Sequence, residues 1–495
     1  MSESFGKWRY RFWPVHAHEY CKVMPLLLMK LLVALNYTML FNTKETLMIA
    51  ASAGSGAEVI PILKGWLVIP AAFIFMIYYA KMSNQLNSKQ LFYATISPFL
   101  IFFALFAFIL YPNREALSPG ESAVWLQEWL GPQRTHWVAI YKYWMNAAFY
   151  VFAELWGVVV INLLFWTFAN QICSIGEAKR FYTLFSTAGD LGAVFSAPLM
   201  WHSTLLGKSS GFDGTLQYVL YYTLIIGVIV IALYSWTYWY ADIKETQSAQ
   251  SLKNKPKLSL VSSFKMILRS SYLMHLSFIV ISYSFALNLI EVFWKANLKM
   301  AYPQASDYLQ FMSYFSFCTG LISVIITFIA AGFIIRRFGW HVSAQITPIL
   351  VCSSGLIFFT VYYQQESLSP FFSYFNLTPI LFLAYFGAAQ NILSRTCKYA
   401  FLDPTKEMAY IPLDEESKIK GKAAVDVVAS RLGKSGSSWV QAGLIELIGS
   451  GSVLSIAGFI VPIITATGAL WSHAVFSLNK QFTKKINQQK SHDTV

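Results

Sequence analysis

Two cations three residues apart, Arg431 and Lys434, stand near one end of an apolar segment, in Arg431-Leu432-Gly433-Lys434-Ser435-Gly436. On a helix they share a face and repel each other. In or beside a membrane span, leaving such charges unpaired costs more than it would in water. The spacing is reasonable if a multiply charged anion visits the space between them. Other apolar stretches carry lone charges at Lys30, Lys44, Glu154, Asp190 and Glu291. Spanning segments keep ionisable groups chiefly to move a solute or a proton. The chemistry these residues suggest is passage of an anion.

Lys30, Tyr37, Phe41 and Lys44 lie at i, i+7, i+11 and i+14, one stripe of a helix. Two cations and a phenol on one face form half of a polar passage. The simpler reading has Lys30 reaching for the membrane surface and Lys44 sitting in an outer loop beside Glu45. Glu154, one turn after Tyr150, must pair with a cation, hold a proton or face water. Lys142 is one structural partner for it. Glu291 precedes Lys295 by four residues, the favourable order for an intrahelical ion pair. Glu291 either keeps that pair or exchanges it during transport. Asp190, in Gly189-Asp190-Leu191-Gly192, is either a proton-binding group or an interhelical hydrogen-bond partner.

Gly433-Lys434-Ser435 invites a phosphate-loop reading, but that motif needs a glycine where Val428 stands, and the segment reads as helix. There is no zincin pattern, no GxSxG elbow and no Cys/His cluster. The five cysteines are odd in number and scattered, which suits free thiols. No catalytic residue, metal ligand or cofactor is expected, and the chain is read as a non-enzyme.

The elements that must position these charges are membrane helices. The 495 residues are 56% hydrophobic and 12% charged, a balance that favours a polytopic membrane protein. Apolar runs of about 20 residues fall near 23–42, 61–80, 91–111, 138–168, 181–200, 217–240, 272–294, 309–335, 341–363, 378–397, 423–447 and 452–476. The expected fold is all-α, with twelve spans in two six-helix halves. The runs at 181–200 and 423–447 carry the most polar residues. Most of the 37 Lys and Arg fall in loops on the side of the N-terminus; the other side holds only Lys44, Arg114, Arg134, Lys208, Lys295 and Lys299. That bias places both termini in the cytoplasm and explains the positive net charge without nucleic acid. The first twenty residues are basic and aromatic and lack a secretory pattern, so insertion by the first helix is expected. A basic stretch at 241–271 divides residues 1–240 from 272–479, with a tail at 480–495. Two bundles rocking about a midplane site would follow.

Several stretches then resemble the ATP/ADP translocase family of obligate intracellular bacteria and plastids: Trp13-Pro14, Asn36-Tyr37-Thr38 with Lys44, Ile62–Tyr79, Phe102–Pro112, Ala153–Gly157, Phe165–Ile172, Ala178–Tyr182, Asn288–Lys295 and Lys398–Gly436. The resemblance implies a major-facilitator-like carrier in a bacterial inner membrane and a nucleotide substrate; membrane lipid surrounds it, and the oligomeric state stays open, with a monomer as the default. It assigns Lys44, Glu154, Glu291 and Lys434 to transport, and leaves Lys30, Tyr37, Asn288 and Arg431 as further substrate candidates. Phe41 stands where the family commonly has arginine, Glu45 where it has aspartate, Lys30 where an apolar residue is expected and Asp190 where a neutral one is. Exchange of ATP for ADP is the leading expectation. Proton-coupled nucleotide uptake, with Asp190, Glu154 or Glu291 carrying the proton, and NAD/ADP exchange are the alternatives.

Overall fold

The computed structural model describes residues 13–52, 56–173, 175–240, 268–327, 332–374, 376–413 and 429–493, and the isolated positions Gly421 and Val425. Most of the basic stretch expected at 241–271 lies outside the described residues. Among those described there is no strand.

Among the described residues nine helices are long and apolar enough to cross a membrane: α1 (Ala17–Ala51), α2 (Val59–Gln85), α3 (Ser88–Leu110), α4 (Trp144–Ile172), α6 (Lys208–Tyr240), α7 (Ser271–Ala301), α8 (Ala305–Ile326), α9 (Arg337–Tyr363) and α12 (Leu454–Gln488). Three further long helices, α5 (Ile175–Leu206), α10 (Pro379–Cys397) and α11 (Ser430–Ile448), are consistent with the expected twelve. Two of these three cover the polar runs near 181–200 and 423–447. α5 packs against α1 and α8 and α11 against α7 and α2, so polar side chains on those faces meet protein.

Local sequence sets the helix ends. Asn87 caps α3 by accepting from the Gln90 amide at 2.8 Å, Ser270 caps α7 and Thr378 caps α10. Gly449 ends α11 at φ 67°, a conformation that glycine adopts at little cost. The apolar run drawn from 138 begins as a separate short helix, Thr135–Lys142, and α4 starts only after a break at Tyr143.

Packing divides the apolar side chains into two main cores. One holds Val15 to Tyr234 together with Leu309. The other holds Tyr272 to Phe482, and takes in Met48, Ile49, Val59, Ile60, Leu63, Ala139, Ala147 and Tyr150. These crossovers lie at the end of α1, the start of α2, the start of α8 and the first turns of α4 with the short helix Thr135–Lys142 before it. In an up-and-down bundle all four positions belong to the same end of the molecule. The two cores are joined there.

Candidate functional site

The joined end contains a continuous line of opposite charges. Lys44, buried on α1, donates to Glu45 Oε1 at 2.8 Å and lies 3.0 Å from Glu154 Oε2 on α4. Glu45 also meets Lys295 of α7 at 3.1 Å and accepts from the Tyr150 hydroxyl at 3.2 Å. Lys295 pairs with Glu291 at 2.6 Å, and Glu291 Oε2 with Arg395 of α10 at 3.0 Å. The order Glu154, Lys44, Glu45, Lys295, Glu291, Arg395 alternates in sign and crosses from one core to the other. Its middle is dry, with the Lys44, Glu45 and Lys295 side chains at 0% exposure, whereas its termini Glu154 and Arg395 are 13% and 23% exposed. Ions so placed repay their desolvation only when each keeps its partner.

Aromatic rings line this ladder. The Phe41 ring has Lys44 Nζ at 4.7 Å, Lys295 Nζ at 5.2 Å and the Arg395 guanidinium at 5.6 Å from its centre. Lys44 also sits 3.8 Å from the Tyr150 centroid. Rings facing cations add attraction that survives burial. Gly157 lets α4 approach α1: a Cβ there would fall 2.5 Å from the Tyr37 ring. Gly433 does the same for α11 and α7, where a Cβ would meet the Ile281 carbonyl at 2.5 Å.

A second layer of contacts closes the same end. Glu446 of α11 accepts from Trp137 at 2.7 Å and pairs with Arg134 at 2.9 Å, both in the segment between α3 and α4. Lys299 donates to the Ala50 carbonyl at 3.0 Å, and Glu58 Oε1 accepts from the Val453 amide at 3.2 Å.

The structure gathers Lys44, Glu154 and Glu291 into one network, with Tyr37 alongside, its ring 6.1 Å from Phe41. Glu154 pairs with Lys44, and Lys142 is exposed elsewhere. The outer-loop reading of Lys44 and Lys295 is corrected: both are buried inside helices, because each is held by two carboxylates. Asn288 is already engaged, accepting from Lys64 at 2.8 Å and donating to Ser437 at 2.8 Å. Arg431 and Lys434 are exposed and within electrostatic reach of Glu154. Lys30 is separate, about 21 Å down the helix from Lys44 at 1.5 Å per residue. It is buried over the Phe165 and Trp166 rings at 4.8 and 4.9 Å. Its aliphatic stem packs on Gly189, beside Asp190. Asp190 feels Lys30 and Lys398, and its backbone abuts Gly320 of α8.

Sequence reading missed Arg395 and Lys64, and treated Glu45 only as a local neighbour of Lys44. The signal available for the first two was a cation inside a drawn span, the same signal that singled out Lys44.

Comparison with known proteins agrees with this arrangement. A family model described as "TLC ATP/ADP transporter" matches residues 1–482. An ADP,ATP carrier protein 1 of Chlamydia pneumoniae is 44% identical over 97% of this chain and 94% of its own length. A chloroplastic ADP,ATP carrier protein 1 of Arabidopsis thaliana is 38% identical over 95% and 75%, and an ADP,ATP carrier protein 3 of Rickettsia prowazekii 34% over 97% and 98%. Among solved structures, a bacterial homologue of the iron transporter ferroportin in its inward-facing state superposes with TM-score 0.58 at 14% identity, covering 94% of this chain and 99% of that one. A D-xylose–proton symporter gives 0.55 at 14%, covering 93% and 97%. These distant likenesses establish the fold, and the close ones the lineage: the chain belongs to the TLC ATP/ADP transporter family.

Proposed function

We propose that this protein exchanges ATP for ADP across a bacterial inner membrane by alternating access, with both termini cytoplasmic. Residues 1–240 and 272–479 act as the two rocking halves. The observation that carries this reading is the charge ladder, which links the halves at one end while Arg431 and Lys434 stand exposed beside Glu154. A nucleotide polyphosphate entering from the opposite end meets those cations first. Lysine and arginine suit its oxygens, arginine through two parallel bonds and lysine as a point charge. Phosphate then competes with Glu154 and Glu291 for Lys44 and Arg395. Weakening the ladder releases the joined end, and re-forming it after release closes that end again. Each carboxylate holds a cation whenever the site is empty, so no charge is stranded in the membrane. The names of the relatives, all ADP/ATP carriers, support adenine nucleotides as the cargo.

Proton coupling is the second reading, and one observation favours it. Asp190 sits mid-helix at the crossing of α5 and α8, and among the described residues it has no ion-pair partner in contact. A carboxylate so placed is suited to bind and release a proton. Uptake of labelled ATP into reconstituted vesicles, empty or preloaded with ADP and with or without an inward proton gradient, separates the two. Exchange requires uptake only into preloaded vesicles, indifferent to the gradient. Uptake into empty vesicles that collapses with a protonophore would replace it with symport.

A further inference from the structure

Lys64 stands close to the ladder without being part of it. Each ladder carboxylate already has a cation within 3.1 Å. Among the described residues, no carboxylate oxygen lies within ion-pair distance of Lys64. Its ammonium makes one hydrogen bond, to Asn288 Oδ1 at 2.8 Å. Lys64 is half-buried, and an ammonium carries three donors, so two stay available to water or a ligand.

The surroundings hold that amide in place. Asn288 Nδ2 donates to Ser437 at 2.8 Å and Ser438 at 3.3 Å, and both serine hydroxyls donate to the Lys434 carbonyl, at 2.8 and 2.9 Å. Asn288 therefore connects Lys64 on α2 to the turn of α11 that carries Lys434. Trp439 of α11 donates to the Gly65 carbonyl at 3.4 Å, next to Lys64. Lys64 occupies the π-helical stretch Leu63–Val68, a widened turn often found where a helix serves a function. It lies within electrostatic reach of Glu291, Glu45 and Glu154, and Lys434 and Arg431 within reach of Glu154. Lys64 on α2 and two cations of α11 thus face the carboxylates of the ladder.

We propose that Lys64 is a phosphate-binding residue of the nucleotide site and that Asn288 is its positioning residue. The ammonium leaves the Asn288 carbonyl for a phosphate oxygen when a nucleotide binds, and returns when it departs. The inference rests on the nucleotide reading above. It revises the expectation for Asn288, whose amide serves Lys64 and the serines in place of the substrate.

Equilibrium binding of labelled ATP, ADP and AMP to the purified full-length protein tests it, with thermal melting as the control for folding. Lys64→Gln is expected to weaken ATP by about tenfold or more, the scale of one charge-assisted bond, ADP by less and AMP least. Lys64→Arg should keep the wild-type ratio of ATP to AMP affinity. A folded Lys64→Gln protein with unchanged ATP affinity, or with equal losses for ATP and AMP, overturns the proposal. Should that variant not fold, Asn288→Ala decides: ATP affinity must fall relative to AMP, and a parallel change overturns the proposal. Wild-type protein that binds none of the three nucleotides defeats the nucleotide reading itself. Wild-type binding with an indifferent Lys64→Gln defeats this inference alone.

Discussion

The two ends of the bundle treat charge differently. At the joined end six ionised side chains alternate in contact, and Arg134–Glu446 adds a clasp outside them. Toward the opposite end Lys30, Asp190, Arg431 and Lys434 lie in or beside the same helices, yet no ion pair joins them to one another among the described residues. Lys22–Glu177, Arg180–Glu19 and Lys398–Asp403 do pair there, but each pair lies within residues 1–240 or within 272–479. At the joined end Glu45–Lys295 and Arg134–Glu446 cross between those halves. The ends therefore differ in where their ion pairs run, between the halves at one and within each half at the other.

The sharpest way to break the comparison is Lys44→Gln. It leaves Glu45 and Glu154 buried with too few cations, and removing one partner of a buried pair costs about 3–5 kcal/mol. Melting temperature and exchange should both fall, exchange by at least about a hundredfold. Adding Glu154→Gln should restore much of the stability and none of the exchange. Vesicle exchange and calorimetry on the same preparations read both.

Arg431→Gln and Lys434→Gln should act the other way round. Neither residue makes an ion pair in contact among the described residues, so melting should move by less than about 0.5 kcal/mol. ATP binding should weaken by about tenfold for each. A loss of stability like that of Lys44→Gln would erase the distinction between the ends.

Phe41→Ala sharpens the ladder itself. It removes a ring from three cations, each contact worth about 0.5–2 kcal/mol. The joined end should open more readily, visible as faster hydrogen exchange in the last turns of α1 and α7 than elsewhere.

The smallest effect belongs to Asp190→Asn. Partly exposed, loosely spaced charges contribute below about 1 kcal/mol. Exchange should stay within about twofold of wild type and remain independent of a proton gradient. A gradient dependence present in wild type and lost in this variant would move Asp190 to the centre of the mechanism.

Much of this was legible in the sequence, for identifiable reasons. Hydropathy marks a span wherever lipid faces it, so α3 and α6 were plain. The runs at 181–200 and 423–447 were weaker because they carry polar side chains such as Asp190, Arg431 and Lys434. Lys44, Glu154 and Glu291 were visible since a charge in an apolar run needs a reason. The ladder was not. Glu45 meets Lys295 from 250 positions away, and no periodicity encodes a pairing between helices that distant. Arg395 stands near the end of the run at 378–397, and only its side-chain reach to Glu291 brings it into the ladder. Lys30 and Lys44 share a stripe as their spacing requires, but the stripe runs the height of the bundle and serves two different neighbourhoods.

Alternating access is the central claim, and distances between the halves test it most directly. Spin labels placed at exposed Glu121 and Ser369 report the joined end, and at Asn84 and Asn487 the opposite one, in a variant whose native cysteines are replaced and which still exchanges. Pulsed electron resonance in nanodiscs is then recorded without nucleotide and with saturating ATP. The account predicts reciprocal change: nucleotide adds a population with a longer Glu121–Ser369 distance and a shorter Asn84–Asn487 distance. Distances that stay fixed at both ends, or lengthen together, in a protein that transports would contradict it.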